Sequence, residues 1–221
     1  YYTVRAINGS VVSASYDTNK SITYKKLSVE IPQTTFSKTS GNVTFKVQYP
    51  ENITCGVPTT FKLSSEGTTD KVQYALYSLT TEDGTIVYDT SYGSNGKFFS
   101  KDSFDFTFYA SGTYYIRFAI MDTGVSPYVW FNTGLYGIKL VIDDKGYPTV
   151  ENVVADLKAQ CGKTCTTDFE KAVWFNDWLV ENCRYDSSYS YCAPEGALAR
   201  GSGTCEAYHR AYVMLLNSVG I

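Results

Sequence analysis

Gly201-Ser202-Gly203-Thr204-Cys205-Glu206-Ala207-Tyr208-His209-Arg210-Ala211-Tyr212 is the stretch from which the rest of the chain is best read. After the cysteine, Ala207, Tyr208, Ala211, Tyr212, Met214, Leu215 and Val219 recur at helical spacing, and Gly220 is a natural stop. Thr204 is the expected N-cap, which puts Cys205 in the first turn. Unpaired N–H groups and the positive end of the helix dipole favour an anionic sulfur there, and the thiolate is the nucleophilic form. Gly201 and Gly203 add no side-chain bulk, so a substrate carbonyl is expected to approach past Gly201, Gly203 and Thr204. The competing reading is an ordinary buried cysteine opening a core helix.

Upstream, the pattern is helical from Tyr147. Val150, Val153, Val154 and Leu157 form one stripe. Thr167-Asp168-Phe169-Glu170 reads as a capping box, opening a helix with Phe169, Ala172, Val173, Asn176, Leu179 and Val180 on one face. Trp174 and Trp178 flank that stripe as core residues. Arg184-Tyr185-Asp186 turns out of the helix, and Pro194 to Leu198 is a short helical turn leading to Gly201.

Gly-x-Gly-x-Cys-Glu-x-Tyr, followed by an apolar helix ending Leu-Leu-x-x-x-Gly-Ile, resembles the nucleophile segment of the transglutaminase-like superfamily. Lys171-Ala172, Asp177-Trp178-Leu179, Tyr185-Asp186 and Gly196-Ala197-Leu198 resemble its lead-in, in order and spacing. The resemblance covers Tyr147 to Ile221. It implies a papain-like fold and a Cys-His-Asp triad in which Cys205 is the nucleophile. It implies acyl transfer on a protein or peptide substrate through a thioester, resolved by an amine or by water. The family's His and Asp lie on strands after this helix, so neither position is expected before Ile221. His209, the sole histidine, lies one turn along the nucleophile's own helix and takes no triad role.

Composition narrows the classes. Hydrophobic residues are 43% and charged residues 19%, which argues against disorder. A net charge of -3 gives no electrostatic case for nucleic acid, and no apolar run is long enough to span a bilayer. Six cysteines without Cys-x-x-Cys, beside one histidine, argue against a zinc site. No metal or organic cofactor is expected. Cys161, Cys165, Cys183 and Cys192 are expected to form two disulfides in one of three pairings, hence an extracellular or cell-surface setting. Asn8, Asn19, Asn42 and Asn52 lie in Asn-x-Ser/Thr sequons, most of them explained by chance in a chain rich in these residues.

The first 144 residues read as β structure. Tyr2-x-Val-Arg-Ala-x-Asn-Gly resembles the late strands of a fibronectin type III-like domain, with Tyr2 at a tyrosine corner. Residues 1–38 are therefore expected to be the end of such a domain, begun before Tyr1. Ser21 to Tyr24 is read as its last strand, and Ile31 to Gly41 as a linker.

From 42 to 144, short alternating runs recur around Val43–Tyr49, Phe61–Leu63, Val72–Leu76, Ile86–Tyr88, Phe104–Phe108, Tyr114–Ile120 and Ile138–Ile142. Asp83-Gly84 signals a hairpin and Tyr114 a second tyrosine corner. Seven strands in this length is the immunoglobulin-like count. The long Asp122–Tyr136 loop carries Tyr128, Trp130 and Phe131, which either bind a partner such as a cell-wall carbohydrate or pack on the next domain.

The whole reads as multidomain β then α+β. An Ig-like β-sandwich (42–144), preceded by the fibronectin type III-like end, leads into the N-terminal half of a papain-like, transglutaminase-like domain (147–221). The layout resembles that of bacterial secreted or surface proteins. The alternative is a non-catalytic adhesion or scaffold protein of sandwich modules with a degenerate transglutaminase-like domain.

Overall fold

The computed structural model describes residues 31–89, 101–144 and 149–221, with the backbone of 7–8 and 11–12. Two compact units emerge, Tyr1–Glu30 and Ile31–Ile221. In the first, β1 (Ile7–Asn8) and β2 (Val11–Val12) form an antiparallel hairpin, with Asn8 opposite Val11. The Tyr2 corner and the Ser21–Tyr24 strand lie outside the described residues.

In the second unit, β3 (Gln33–Ser40) precedes β4 (Val43–Pro50), β5 (Ile53–Thr54), β6 (Pro58–Glu66), β7 (Val72–Thr81) and β8 (Ile86–Asp89). Then come β9 (Ser103–Thr107), β10 (Gly112–Asp122), β11 (Val129–Asn132) and β12 (Ile138–Asp143). One sheet runs β3-β4-β6-β9 and the other β5-β12-β10-β7-β8, with β11 also paired to β10. Each of the seven alternating runs is a strand. Alternation turns one face of each inward, and the two inner faces share a core of Phe45, Phe61, Phe118 and their neighbours. Phe61 and Phe118 meet across it at 5.2 Å between ring centroids. Each such ring contributes roughly 1.5–3 kcal/mol by leaving water.

Two local expectations hold in detail. The Tyr114 hydroxyl donates to the Ala110 carbonyl, four residues upstream, at 2.9 Å. In the β7–β8 turn, Asp83 accepts from the Thr85 N–H at 3.1 Å and from the Thr81 hydroxyl, and Gly84 takes φ 85°. One expectation fails. Ile31 to Gly41 is not a linker, because Gln33–Ser40 pairs along its length with β4, from Gln33↔Pro50 to Ser40↔Val43. The polar composition disguised an edge strand. Thr34, Phe36 and Lys38 lean inward while Gln33, Thr35, Ser37 and Thr39 face water.

The helical segment comprises α1 (Val150–Cys161), α2 (Asp168–Asn182), β13 (Arg184–Tyr185), α3 (Pro194–Leu198), β14 (Ser202–Gly203) and α4 (Cys205–Ser218). The Thr167–Glu170 capping box is present at the start of α2. The buried face of α2 is the expected one only in part: Leu179 and the two tryptophans pack inward as read. Phe175 and Leu179 are buried with Trp174 and Trp178 against them, while Phe169 is 78% and Val180 67% exposed. The large rings turn the helix, and the Phe169–Val173–Val180 stripe faces out.

The helical segment abuts the sheets. The Val150 N–H donates to Tyr109 O at 2.8 Å, Asp89 N–H to Ser190 O at 3.0 Å, and Tyr88 bridges to Tyr191. The Arg200 guanidinium stacks on Phe106 (4.5 Å), Tyr109 (4.9 Å) and Tyr191 (4.9 Å). It also donates to Thr107 O and pairs with Glu195 at 3.2 Å. Burial pushes the Glu195 carboxyl above the usual range, and Arg200 opposes that push. Neither residue stood out in the sequence. The two are joined locally, the Arg200 N–H also donating to Glu195 O at 2.9 Å, and the fold adds Thr107 and the three rings.

Candidate active site

Cys205 is the first residue of α4, and Thr204 caps that helix as expected. The Thr204 hydroxyl accepts from the Ala207 N–H at 3.5 Å, and the Thr204 N–H donates to Tyr191 O at 2.9 Å. At the other end, Gly220 takes φ 83°. Its N–H reaches Asn217 O (3.2 Å), and the Ile221 N–H reaches Leu216 O (3.1 Å), a Schellman stop. Ala207, Ala211 and Leu215 are fully buried, so α4 is clamped along one side with its first residue outward.

The glycines before Cys205 serve a different purpose from the expected one. Gly201 takes φ 66°, a conformation that side chains disfavour. A Cβ on Gly203 would lie 2.6 Å from the Ala207 Cβ and 3.3 Å from the Ala197 N. Gly203 and Thr204 are buried, so they do not form a substrate approach. They let the strand-to-helix turn pack tightly and so fix where the sulfur emerges.

That turn is held by a feature the sequence reading missed. β13 and β14 pair in parallel, Arg184↔Ser202 and Tyr185↔Gly203. The buried Asp186 then organises the next loop. Its carboxylate accepts from the Ser188 N–H (3.0 Å), the Ser188 hydroxyl (2.5 Å), the Ser190 N–H (2.9 Å) and the Tyr191 N–H (2.9 Å). Burial pushes the Asp186 carboxyl up, but these donors outweigh it and hold it below the usual range. Tyr191 O in turn anchors Thr204, so the Asp186 loop supports the cap of the nucleophile's helix. A short polar run, Asp-Ser-Ser-Tyr-Ser, is the only sequence hint of this loop.

Tyr185 stands beside the sulfur. Partial desolvation, then the neighbouring Cys205 sulfur, push its phenol above the usual tyrosine value. Tyr189, at φ 57°, meets the Tyr185 ring edge-on at 6.2 Å. Tyr185 is 51% exposed, so the phenol and the thiol share an open surface.

The six cysteines are all free, so the two disulfides expected among Cys161, Cys165, Cys183 and Cys192 are not formed. Cys183 and Cys192 have separate partners: Cys183 lies by Arg184 O (3.5 Å) and Cys192 by Tyr189 O (3.8 Å). Cys161 and Cys165 lie one turn apart, with the Cys165 N–H on Cys161 O at 2.9 Å. The argument from disulfides for an extracellular setting lapses with them. Cys205 is the one exposed cysteine. Burial pushes the Cys55 thiol up to about 11, and burial with the Cys165 neighbour pushes Cys161 to about 11.

His209, one turn along α4 from Cys205, is exposed. It lines a cavity of about 690 Å³ with Arg210, Val213 and Met214 of α4, the Thr81–Thr85 turn and the start of α1, and Cys205 is not part of that wall. Nor do the loop aromatics act as one set. Phe131 is buried against Phe45 (6.2 Å), whereas Tyr128 and Trp130 are 64% and 46% exposed. The packing of all three on the helical segment does not occur. Among the described residues no group of His, Cys, Asp or Glu is arranged to hold a metal ion, and no helix is long and apolar enough to cross a membrane.

Residues 155–221, from within α1 to the end of α4, match the family described as the transglutaminase-like superfamily. No curated protein and no solved structure matches the chain.

Proposed function

We propose that the helical segment is the nucleophile-bearing part of a transglutaminase-like cysteine acyl-transfer site. The observation that carries this is Cys205: exposed, first in a capped helix, beside a phenol, and inside the matched segment. In the proposed reaction the sulfur attacks a glutamine carboxamide or peptide carbonyl of a protein substrate. The carbonyl π pair moves to oxygen, then returns as ammonia or an amine leaves with a proton, giving a thioester. An amine or water displaces the sulfur in the second half. In this reading the Cys205 N–H and the Tyr185 hydroxyl serve as donors to the oxyanion.

The proton still needs a base, and His209 lines another cavity. The 221-residue chain alone is therefore expected to form a thioester slowly and not to turn over. The test uses p-nitrophenyl acetate, intact mass and peptide mapping, with Cys205→Ala as the blank. One hydroxylamine-labile acetyl group on Cys205 supports the reading. Acetylation confined to lysines contradicts it and favours the adhesion or scaffold reading.

For the remainder of the chain we read 33–144, the expected 42–144 with the β3 edge strand added, as an immunoglobulin-like sandwich. The strand orders β3-β4-β6-β9 and β5-β12-β10-β7-β8 and the Tyr114 corner support it. The first unit takes the fibronectin type III-like reading. A secreted or surface setting rests on this layout alone.

A further inference from the structure

The outer face of the β10 sheet carries an aromatic surface that the acyl-transfer reading does not use. In β11, Val129 and Phe131 turn to the core, so Tyr128, Trp130 and Asn132 emerge outward. Trp130 lies opposite Met121 and reaches the Tyr77 ring edge-on at 6.5 Å. The Arg117 guanidinium stacks on Tyr77 at 5.2 Å while its Nε donates to the Ser78 hydroxyl at 2.6 Å. Ala119, outward on β10 between Arg117 and Met121, is buried beneath this cluster.

The surface is set in advance. Asp122 accepts from the Thr69 N–H (2.7 Å) and the Gly124 N–H (2.9 Å) at one end of the hairpin. At the other, Lys38 Nζ donates to Asn132 O (2.8 Å), Thr133 N–H to Phe118 O (2.9 Å), and Gly134 N–H to the Asn132 side chain (2.9 Å). Exposed rings on a fixed frame lose little conformational entropy on binding.

The chemistry selects the occupant. The rings are flanked by amide, hydroxyl and guanidinium groups, with no run of like charge. A pyranose has a flat C–H face for stacking and a rim of hydroxyls for such groups. The exposed parts of three rings amount to on the order of 300 Å². That suits a few sugar units and falls short of the roughly 1,000 Å² expected of a stable protein interface. We propose that Tyr128, Trp130 and Tyr77, with Arg117 beside them, bind a neutral polysaccharide. β10 starts at Gly112, next to the helical segment, and Met121 lies nine residues on, about 30 Å away. A glycan held there leaves Cys205 open, so this site does not depend on the acyl-transfer reading.

The experiment is native affinity electrophoresis of the full chain in gels containing hydroxyethylcellulose, laminarin, xylan or galactomannan. At least one polysaccharide is expected to retard the protein. Trp130→Ala should weaken that binding about tenfold. Trp130→Phe should keep most of it. Tyr128→Ala, at a more exposed position, gives a second reading if Trp130→Ala folds poorly by circular dichroism. Cys205→Ala should migrate like the parent. Retardation by none of the four, or retardation unchanged in both Trp130→Ala and Tyr128→Ala, overturns the proposal.

Discussion

Phenylalanine fills the space between the two sheets: Phe45, Phe61, Phe104, Phe106, Phe108, Phe118 and Phe131 are all buried there. The helical core holds one, Phe175, among Ala197, Ala207, Ala211 and Leu215, and is closed by the half-buried rings of Trp174, Trp178, Tyr208 and Tyr212. The sheets are thus held by apolar volume. The helices bury less, and polar fasteners complete them: Arg200 on Glu195, Asp186 on its loop, and the Tyr208 hydroxyl on Cys183 O. A thin core with buried charges responds more sharply to single substitutions and to pH. The fasteners also converge on the cap of α4, so the same groups that stabilise the segment place Cys205.

Arg200→Ala should break this contrast most severely. It strands the Glu195 carboxylate and strips the stacking from three rings, at a cost of about 3–5 kcal/mol. Burial raises Glu195 in the folded state. A raised carboxyl contributes stability that is present below its unfolded value and lost as pH rises through its folded value. The Arg200→Ala deficit should therefore shrink on acidification toward about pH 4. Urea unfolding of parent and variant across pH checks this, and a pH-independent deficit would remove Glu195 from the account.

Asp186→Ala should come next, at roughly 2–3 kcal/mol, since it orphans N–H groups of Ser188, Ser190 and Tyr191. Here the sign is opposite. The folded value is depressed, so the stabilisation is present above the usual aspartate range and fades as pH falls below roughly 4. Thermal unfolding at pH 7 and pH 3 should show the parent approaching the variant at the lower pH.

On α2 the difference should be large between two phenylalanines six residues apart. Phe175→Ala should cost about 3–5 kcal/mol. Phe169→Ser should stay within about 0.5 kcal/mol. Equal effects would restore the stripe that the sequence suggested.

Those outcomes bear on what was legible beforehand. Alternation located seven of the strands from Val43 to Ile142, because a half-buried strand must alternate; it did not find β5, or β11, which lies in the stretch read as a loop. Thr167, Thr204 and Gly220 marked helix ends through local chemistry. The β3 edge was missed because its inward side carries Thr34 and Lys38 beside Phe36, so no apolar alternation shows. The α2 face was missed in part because helical spacing alone does not rank Phe175 above Phe169. Arg200 and Tyr185 depend on partners that the fold supplies from other elements, whereas the Asp186 loop closes on donors within its own turn that only a short polar run hints at. At the candidate site, Cys205 and its cap were readable, but the role of Gly203 was not, since its constraint is the Ala207 Cβ.

A smaller effect separates Tyr185 from the fasteners. Tyr185→Phe should leave stability within about 0.5 kcal/mol. It should nonetheless change the rate of Cys205 alkylation at pH 7, because the phenol stands beside the thiol. An unchanged rate would leave Tyr185 a bystander.

The most direct measurement is competitive alkylation of the folded chain with limiting iodoacetamide at pH 7, read by peptide mapping. Cys205 should carry most of the label, because it alone is exposed and Cys55, Cys161, Cys183 and Cys192 are buried and shifted upward. Half-exposed Cys165 should follow slowly. Faster labelling of Cys165 or Cys55 than of Cys205 in the folded protein would contradict the assignment of Cys205 as the nucleophile.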